Sequence, residues 1–175
     1  FTRQIWQALG LKSANLGTMG VLGDFHAPLA HTTPEPITLH RLLAEMARAD
    51  ISHVAMEASS HGLDQGRLDG VRLRAAAFTN FSQDHLDYHS DFDAYFAAKA
   101  GLFARVLPED GTAVVNIDDP RGREVCTIVR DRGQTLFTVG RSPEAGMRIS
   151  AQRFDATGQD LRFTYKGSAQ MVRLA

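Results

Sequence analysis

The sequence lacks the features that mark secreted, membrane-spanning and nucleic-acid-binding proteins. It contains a single cysteine, Cys126, so no internal disulfide can form, and this composition favours a reducing cytoplasm. No apolar run approaches the roughly 20 residues that a membrane-spanning helix needs, and residues 1–9 are amphipathic, unlike a signal peptide. The 19 basic and 20 acidic side chains nearly cancel, which argues against nucleic acid or an anionic membrane as a partner.

The composition suits a globular domain with its own core, since 43% of the 175 residues are hydrophobic. Helical spacing of apolar residues predicts helices at about residues 37–49 and 92–106. Short apolar runs predict four strands, at residues 52–57, 75–80, 112–116 and 135–139. Alternation of strand and helix predicts an α/β fold, with a mostly parallel sheet flanked by helices.

The pattern changes near residue 146, where apolar and polar residues begin to alternate. Gly158 and Gly167 separate these alternating segments, as turn residues separate the strands of hairpins. We therefore expect one domain over residues 1–175, with a parallel α/β part at 1–145 and a small antiparallel part at 146–175.

Three of the predicted strands end in a polar residue, namely Glu57, Asn80 and Asn116. Each of them alone is also what an ordinary loop would begin with. In open α/β sheets, however, ligands bind beyond the carboxyl ends of the strands. Together the three residues indicate a ligand site at this edge.

Two segments that follow these strands are rich in chemically active side chains. Residues 58–67 carry hydroxyls, side-chain donors and two glycines, which suit a loop around an anionic ligand, although a solvated turn has the same composition. Residues 84–89 hold two histidines and two aspartates, which suggests a metal or general-base cluster. His85 and His89 have the i, i+4 spacing of zinc ligands, but no glutamate accompanies them, and the oxygen-rich surroundings favour magnesium.

Lys99 falls on the apolar stripe of the second predicted helix, together with Tyr95 and Phe103. Burying a charged lysine is costly unless the charge is paired. One interpretation is that the ammonium reaches water past its aliphatic stem. The other is a lysine with a lowered pKa, or a chemically modified one, that serves a site.

Taken in order, several segments resemble the Mur ligases, the ATP-dependent enzymes that build the peptide of peptidoglycan. The resemblance covers essentially the whole chain and is closest to the members that add the third residue, a diamino acid, with diaminopimelate favoured over lysine. The segments that carry it are Asn15–Thr18, Thr32–Pro34, Met56–Leu63, Phe78–Asn80, Asp84–His89, Ala97–Lys99 and Val115–Asp119.

The resemblance implies a P-loop-ATPase-like fold, with ATP and Mg²⁺ as cofactors and a UDP-N-acetylmuramoyl dipeptide as substrate. It assigns magnesium binding to Glu57 and His85, and to Lys99 as a carbamate formed with carbon dioxide. It assigns the muramoyl dipeptide to Thr32, Thr33, Ser59, Gln65 and Arg67. It places Asn116 and Asn80 on the nucleotide side of the site.

The chain also departs from the family pattern. The Gly-rich phosphate loop of the family, G-x-x-x-x-G-K-[ST], does not occur in this sequence, and we expect it just before Phe1. The N-terminal UDP-binding domain and the C-terminal domain that selects the amino acid are not represented either. We therefore expect the 175 residues alone to be inactive as a ligase.

Three other interpretations remain open. A related ligase, such as a folylpolyglutamate synthetase, belongs to the same superfamily, although the His61–Leu63 run and the paired threonines favour the cell-wall enzyme. A metal-dependent hydrolase built on Asp84, His85 and His89 would bind zinc tightly. A non-catalytic nucleotide-binding module is the third possibility.

Overall fold

The computed structural model describes residues 1–82 and 88–174, which divide into two units. Of the described chain, the first unit takes in residues 1–71 and 88–102, and the second takes in residues 72–82 and 103–174. Each unit has its own sheet.

The first unit is built around a three-stranded sheet. Its elements are α1 (Thr2–Ala8), β1 (Ser13–Gly17), β2 (Gly20–Gly23), α2 (Pro36–Arg48), β3 (His53–Met56), α3 (Ser60–Asp64) and α4 (Phe92–Gly101). The strand order is β2-β1-β3, with β1 antiparallel to β2 and parallel to β3. The parallel pairing brings the carboxyl ends of β1 and β3 together, since Leu16 lies opposite Met56.

Two helices of the first unit follow directly from the sequence pattern. In α2, Pro36 occupies the first turn, where its missing N–H is not needed, and Leu39, Leu42 and Met46 form one buried face. At the start of α4, the carboxylate of Asp91 accepts a hydrogen bond from the Ala94 N–H at 2.7 Å. This backbone hydrogen bond lowers the pKa of Asp91. Beyond α4 the chain continues as a π-helical segment, Leu102–Val106.

The second unit contains a six-stranded sheet in the order of the sequence. Its elements are β4 (Ala75–Phe78), β5 (Thr112–Asn116), α5 (Pro120–Asp131), β6 (Thr135–Gly140), β7 (Met147–Asp155), β8 (Gly158–Tyr165) and β9 (Ser168–Leu174). Strands β4 to β7 pair in parallel, and β7 to β9 pair antiparallel. The fully buried Val115 of β5 and Val125 and Val129 of α5 contribute to its core.

Helix α5 packs closely on the end of β5, and a glycine makes this possible. A methyl group at Gly122 would collide with the carbonyl oxygen of Asn116, a backbone atom that cannot move aside easily. The first turn of α5 is held by Asp119, whose side chain accepts a hydrogen bond from the Arg121 N–H.

The α/β fold and the antiparallel C-terminal part are confirmed, but the distribution of strands differs from expectation. The run at 52–57 forms β3, which pairs with β1 in the first unit and is separate from the sheet of β4, β5 and β6. The sequence prediction missed β1 and β2 because glycine or polar residues interrupt their sequences, SANLG and GVLG, so that neither is a continuous apolar run. Within the described residues, no helix combines the length and the apolar character needed to cross a membrane.

Candidate functional site

The buried hydroxyl of Thr33 joins two segments of the first unit. The side chain of Thr33 is 0% exposed. Its hydroxyl donates a hydrogen bond to the Glu57 carbonyl oxygen at 2.8 Å and accepts one from the Ser59 N–H at 2.9 Å. The segment that follows β3 is thereby fixed to the segment that precedes α2.

The residues after Ser59 form a short helix, where the sequence indicated a loop. Ser59 is the N-cap of α3, and its Oγ accepts a hydrogen bond from the Gly62 N–H at 3.1 Å. A methyl group at Gly62 would lie 2.7 Å from both Cβ and Cγ2 of Thr33. The absence of a side chain at Gly62 therefore allows α3 to approach Thr33.

The guanidinium of Arg67 is oriented by hydrogen bonds to Thr33 and Gln65. Its Nη1 donates to the Thr33 carbonyl oxygen at 2.8 Å. Its Nε and Nη2 both donate to Oε1 of Gln65, at 3.0 and 2.7 Å. Gln65 is exposed, so the Arg67–Gln65 pair lies where the buried Thr33 cluster meets the solvent.

Glu57 and Thr32 lie near the carboxyl ends of β1 and β3. Glu57 is exposed, and its Oε2 would be 3.5 Å from a methyl group at Gly17, the last residue of β1. The Thr32 hydroxyl lies 3.0 Å from the hydroxyl of Thr18, which follows β1. The structure thus places Glu57, Thr32, Thr33, Ser59, Gln65 and Arg67 in one unit, and their roles in a site stay predictions.

Lys99 lies on α4 in the same unit and is half-buried. Its Nζ is 5.9 Å from the ring centroid of Tyr95, which is within the range of a cation–π contact. The ring of Tyr95 is 5.3 Å from that of His89, which is 7% exposed. Within the part of the chain that the structure describes, the buried Nε2 of His89 has no hydrogen-bond partner.

The asparagines that the sequence analysis placed on the nucleotide side lie in the second unit. Asn116 Nδ2 donates to the Thr79 carbonyl oxygen at 2.7 Å, and its Oδ1 accepts from the Asp118 N–H at 3.1 Å. The first of these bonds ties the end of β5 to the residue that follows β4. Asn80 follows Thr79 and is exposed. Contact of either residue with a nucleotide stays a prediction.

The predicted magnesium ligands are only partly within the described residues. His85 lies outside them, so its role stays a prediction. Among residues 1–82 and 88–174, no three carboxylate, imidazole or thiol groups come together as a metal-binding cluster. Of the predicted ligands, the structure therefore places the exposed carboxylate of Glu57 and the half-buried amine of Lys99.

The sequence analysis gave no role to three residues that extend the site. The Tyr88 hydroxyl donates to Oδ2 of Asp64 at 2.8 Å and accepts from Nε2 of Gln65 at 3.2 Å. The rings of Tyr88 and His61 have centroids 3.9 Å apart. Tyr88 and His61 belong to segments that carry the family resemblance, and Asp64 directly follows one of these segments, but nothing in their spacing indicates that the three residues meet.

Comparison with known protein families identifies the family of this chain. The family model of the Mur ligase middle domain matches residues 1–174. The chain belongs to this family. The resemblance drawn from the sequence is thereby confirmed.

The curated relatives of this Mur ligase domain include third-residue ligases. The UDP-N-acetylmuramoyl-L-alanyl-D-glutamate–2,6-diaminopimelate ligase of Zymomonas mobilis is 44% identical over 98% of the chain. The ligase of the same name from Rhizobium meliloti is 45% identical over 98% of the chain. The chain covers 35% and 34% of these two relatives, and so spans about a third of their length.

Solved structures agree with this assignment. The structure of a UDP-N-acetylmuramoyl-L-alanyl-D-glutamate–2,6-diaminopimelate ligase superposes with a TM-score of 0.84 at 27% identity, covering 97% of this chain and 35% of that one. The apo form of L. casei FPGS gives a TM-score of 0.66 at 14% identity, covering 95% of this chain and 47% of that one. The second match shows a shared fold alone.

We predict that Gly62→Ala destabilises the first unit by about 1–3 kcal/mol, because the new methyl group would displace the buried Thr33 side chain. Thermal or urea unfolding measures the change. Gly101→Ala is the matched control, because Gly101 is also helical and a methyl group there meets no described atom within 4 Å. Its expected effect is neutral or a gain of about 0.5–1 kcal/mol. Equal stability of the two variants would contradict the packing of α3 on Thr33.

Proposed function

We propose that this chain is the middle domain of a longer ATP-dependent ligase of peptidoglycan synthesis. The full-length enzyme adds a diamino acid, meso-diaminopimelate, to UDP-N-acetylmuramoyl-L-Ala-D-Glu in the cytoplasm. The observation that carries this proposal is the family match over residues 1–174, combined with relatives of 44% and 45% identity that bear this enzyme's name.

The proposed reaction has two steps. A carboxylate oxygen of the D-glutamyl residue bonds to the γ-phosphorus of ATP, and ADP leaves, which gives an acyl phosphate. The neutral amine of the diamino acid then attacks the acyl carbon, phosphate leaves, and the nitrogen loses a proton. Neither step requires a covalent bond to the protein, so the task of the chain is to position the groups and balance charge.

The muramoyl dipeptide is proposed to bind at the surface formed by Thr32, Ser59, Gln65 and Arg67. Arg67 carries the positive charge there, and a guanidinium suits the carboxylate and phosphate groups of this substrate. Support comes from their hydrogen bonds, which link Gln65, Arg67 and Ser59 through Thr33. Thr33 itself is fully buried, so its proposed role is to hold this surface in place.

The donor set fits magnesium on the condition that Lys99 is modified. The carboxylate of Glu57 is a hard oxygen ligand of the kind that Mg²⁺ prefers, and it is exposed near the ends of β1 and β3. An unmodified amine is a poor ligand for Mg²⁺. Addition of carbon dioxide to the neutral amine of Lys99, with loss of a proton, creates an anionic carbamate that supplies oxygen atoms. When bound, magnesium neutralises phosphate charge.

The remaining predicted residues complete the proposal. His85 is assigned to magnesium by the family resemblance alone. Asn116 and Asn80 are assigned to the nucleotide side, and the hydrogen bonds of Asn116 to the ends of β4 and β5 would keep that surface rigid.

The function is tested by incubating the full-length protein with ATP, Mg²⁺, UDP-N-acetylmuramoyl-L-Ala-D-Glu and meso-diaminopimelate. We expect one ADP for each UDP-muramoyl tripeptide, identified by mass spectrometry, and less product with L-lysine. ATP turnover that depends on a folate substrate instead would assign the chain to the folylpolyglutamate branch. Zinc-dependent hydrolysis without ATP would contradict ligation altogether.

Replacement of Lys99 tests the carbamate. We predict that Lys99→Ala lowers kcat by at least about 100-fold and that added short carboxylates partly restore it, because they supply the missing anion. Lys166→Ala is the matched control, since the Nζ of Lys166 also lies over a tyrosine ring, that of Tyr165, at 5.3 Å. Its expected kcat is that of the wild type. Unchanged activity of Lys99→Ala would remove Lys99 from the mechanism.

A further inference from the structure

A chain of hydrogen bonds leads from Arg67 to a carboxylate that has no role so far. Nε and Nη2 of Arg67 donate to Oε1 of Gln65. Nε2 of Gln65 donates to the Tyr88 hydroxyl at 3.2 Å, and this hydroxyl donates to Oδ2 of Asp64 at 2.8 Å. Every donor in this chain points the same way, from the guanidinium towards the carboxylate.

The direction of these hydrogen bonds fixes the orientation of the Gln65 side-chain amide. With Oε1 towards Arg67 and Nε2 towards Tyr88, both ends of the amide have a suitable partner. A flipped amide would point its NH₂ group at the guanidinium, where donor would face donor. The Tyr88 hydroxyl therefore determines which end of Gln65 is presented to Arg67, because its own proton is engaged by the negatively charged Asp64.

The ring of Tyr88 is itself held in place. It packs against the ring of His61 at a centroid distance of 3.9 Å, and it also contacts the ring of His89 at 4.8 Å. Asp64 is the last residue of α3, and Gln65 is the C-cap of that helix. The phenol thus connects the segment that precedes α4 to the end of α3.

The exposure of these residues indicates that the chain of hydrogen bonds positions the Arg67 side chain more than it stabilises the fold. Tyr88 is 40% exposed, and Asp64 and Gln65 are exposed as well. Hydrogen bonds and charge interactions at such positions add little to folding stability because water competes for the same groups. They can still restrict the rotamers of a long side chain before a ligand arrives, which strengthens binding.

We propose that Tyr88 and Asp64 are positioning residues that orient the Arg67 guanidinium, through Gln65, for an anionic group of the substrate. This inference rests on the proposed function, since it takes Arg67 as a contact of the UDP-muramoyl dipeptide. Arg67 has two further donor N–H groups that its bonds to Gln65 and Thr33 do not use. In this proposal, the hydrogen bonds that connect Asp64, Tyr88, Gln65 and Arg67, called the relay below, orient these two groups towards the substrate.

The test compares kinetic constants of Tyr88→Phe and wild type in the full-length enzyme. The variant keeps the ring that packs on His61 and loses only the hydroxyl. We expect the KM for UDP-N-acetylmuramoyl-L-Ala-D-Glu to rise about 3- to 10-fold. We expect kcat, the KM for ATP and the Tm to remain near wild-type values. Tyr165→Phe, a hydroxyl deletion in the second unit, is the matched control and should change none of these.

A double-mutant cycle with Arg67→Ala separates this inference from the proposed function. If Arg67→Ala leaves the dipeptide KM unchanged, Arg67 is no substrate contact, and the proposed function of this surface fails. If Arg67→Ala raises the KM but Tyr88→Phe does not, only the relay is overturned. The relay predicts that Tyr88→Phe raises the dipeptide KM less in the Arg67→Ala background than in the wild type, and equal increases in the two backgrounds would overturn it.

Asp64→Asn provides an independent variant, because it leaves both aromatic rings intact and removes only the charge that anchors the phenol. We expect the same direction as for Tyr88→Phe, with a raised KM for the dipeptide and an unchanged KM for ATP. A lowered kcat with an unchanged dipeptide KM in both variants would overturn the relay.

Discussion

The hydroxyl of Thr33 is the interaction on which the candidate site depends. It is fully buried, and its donor and acceptor capacities are both used, towards the Glu57 carbonyl and the Ser59 N–H. A buried hydroxyl that loses its partner costs about 1–3 kcal/mol, so the two bonds of Thr33 fix the backbone between β3 and α3 strongly. This stretch carries Glu57 and Ser59, and its geometry sets the positions of both side chains.

From Thr33 the network leads outward to the exposed side chains that the proposed function requires. The Thr33 carbonyl accepts from Arg67, Arg67 is braced by Gln65, and Gln65 is held by Tyr88. A binding surface works best when its side chains are held by a rigid supporting shell. Here the support begins in the core and ends at the solvent, which explains why a region dense in polar groups is also closely packed. The packing is closest at Gly62, where there is no room for a side chain between α3 and Thr33.

Sequence reasoning recovered those features that depend on local pattern. Strands β4, β5 and β6 were predicted because they are continuous apolar runs, and the C-terminal hairpins because Gly158 and Gly167 break an alternating pattern. Helix α3 was missed because five residues are too few to show a helical period. The roles of Thr33 and Tyr88 were out of reach for another reason. Their partners lie 24 and 26 residues away for Thr33, and 23 and 24 residues away for Tyr88, and no local pattern encodes such contacts.

Residue-resolved hydrogen exchange at the Ser59 amide tests this account most directly. The N–H of Ser59 donates to the Thr33 hydroxyl, so exchange requires this bond to open. Thr33→Val removes the acceptor while keeping the shape of the side chain. The account predicts that the Ser59 amide is protected in the wild type and exchanges at least about tenfold faster in Thr33→Val. Equal protection of Ser59 in the two proteins would contradict the claim that Thr33 holds the site together.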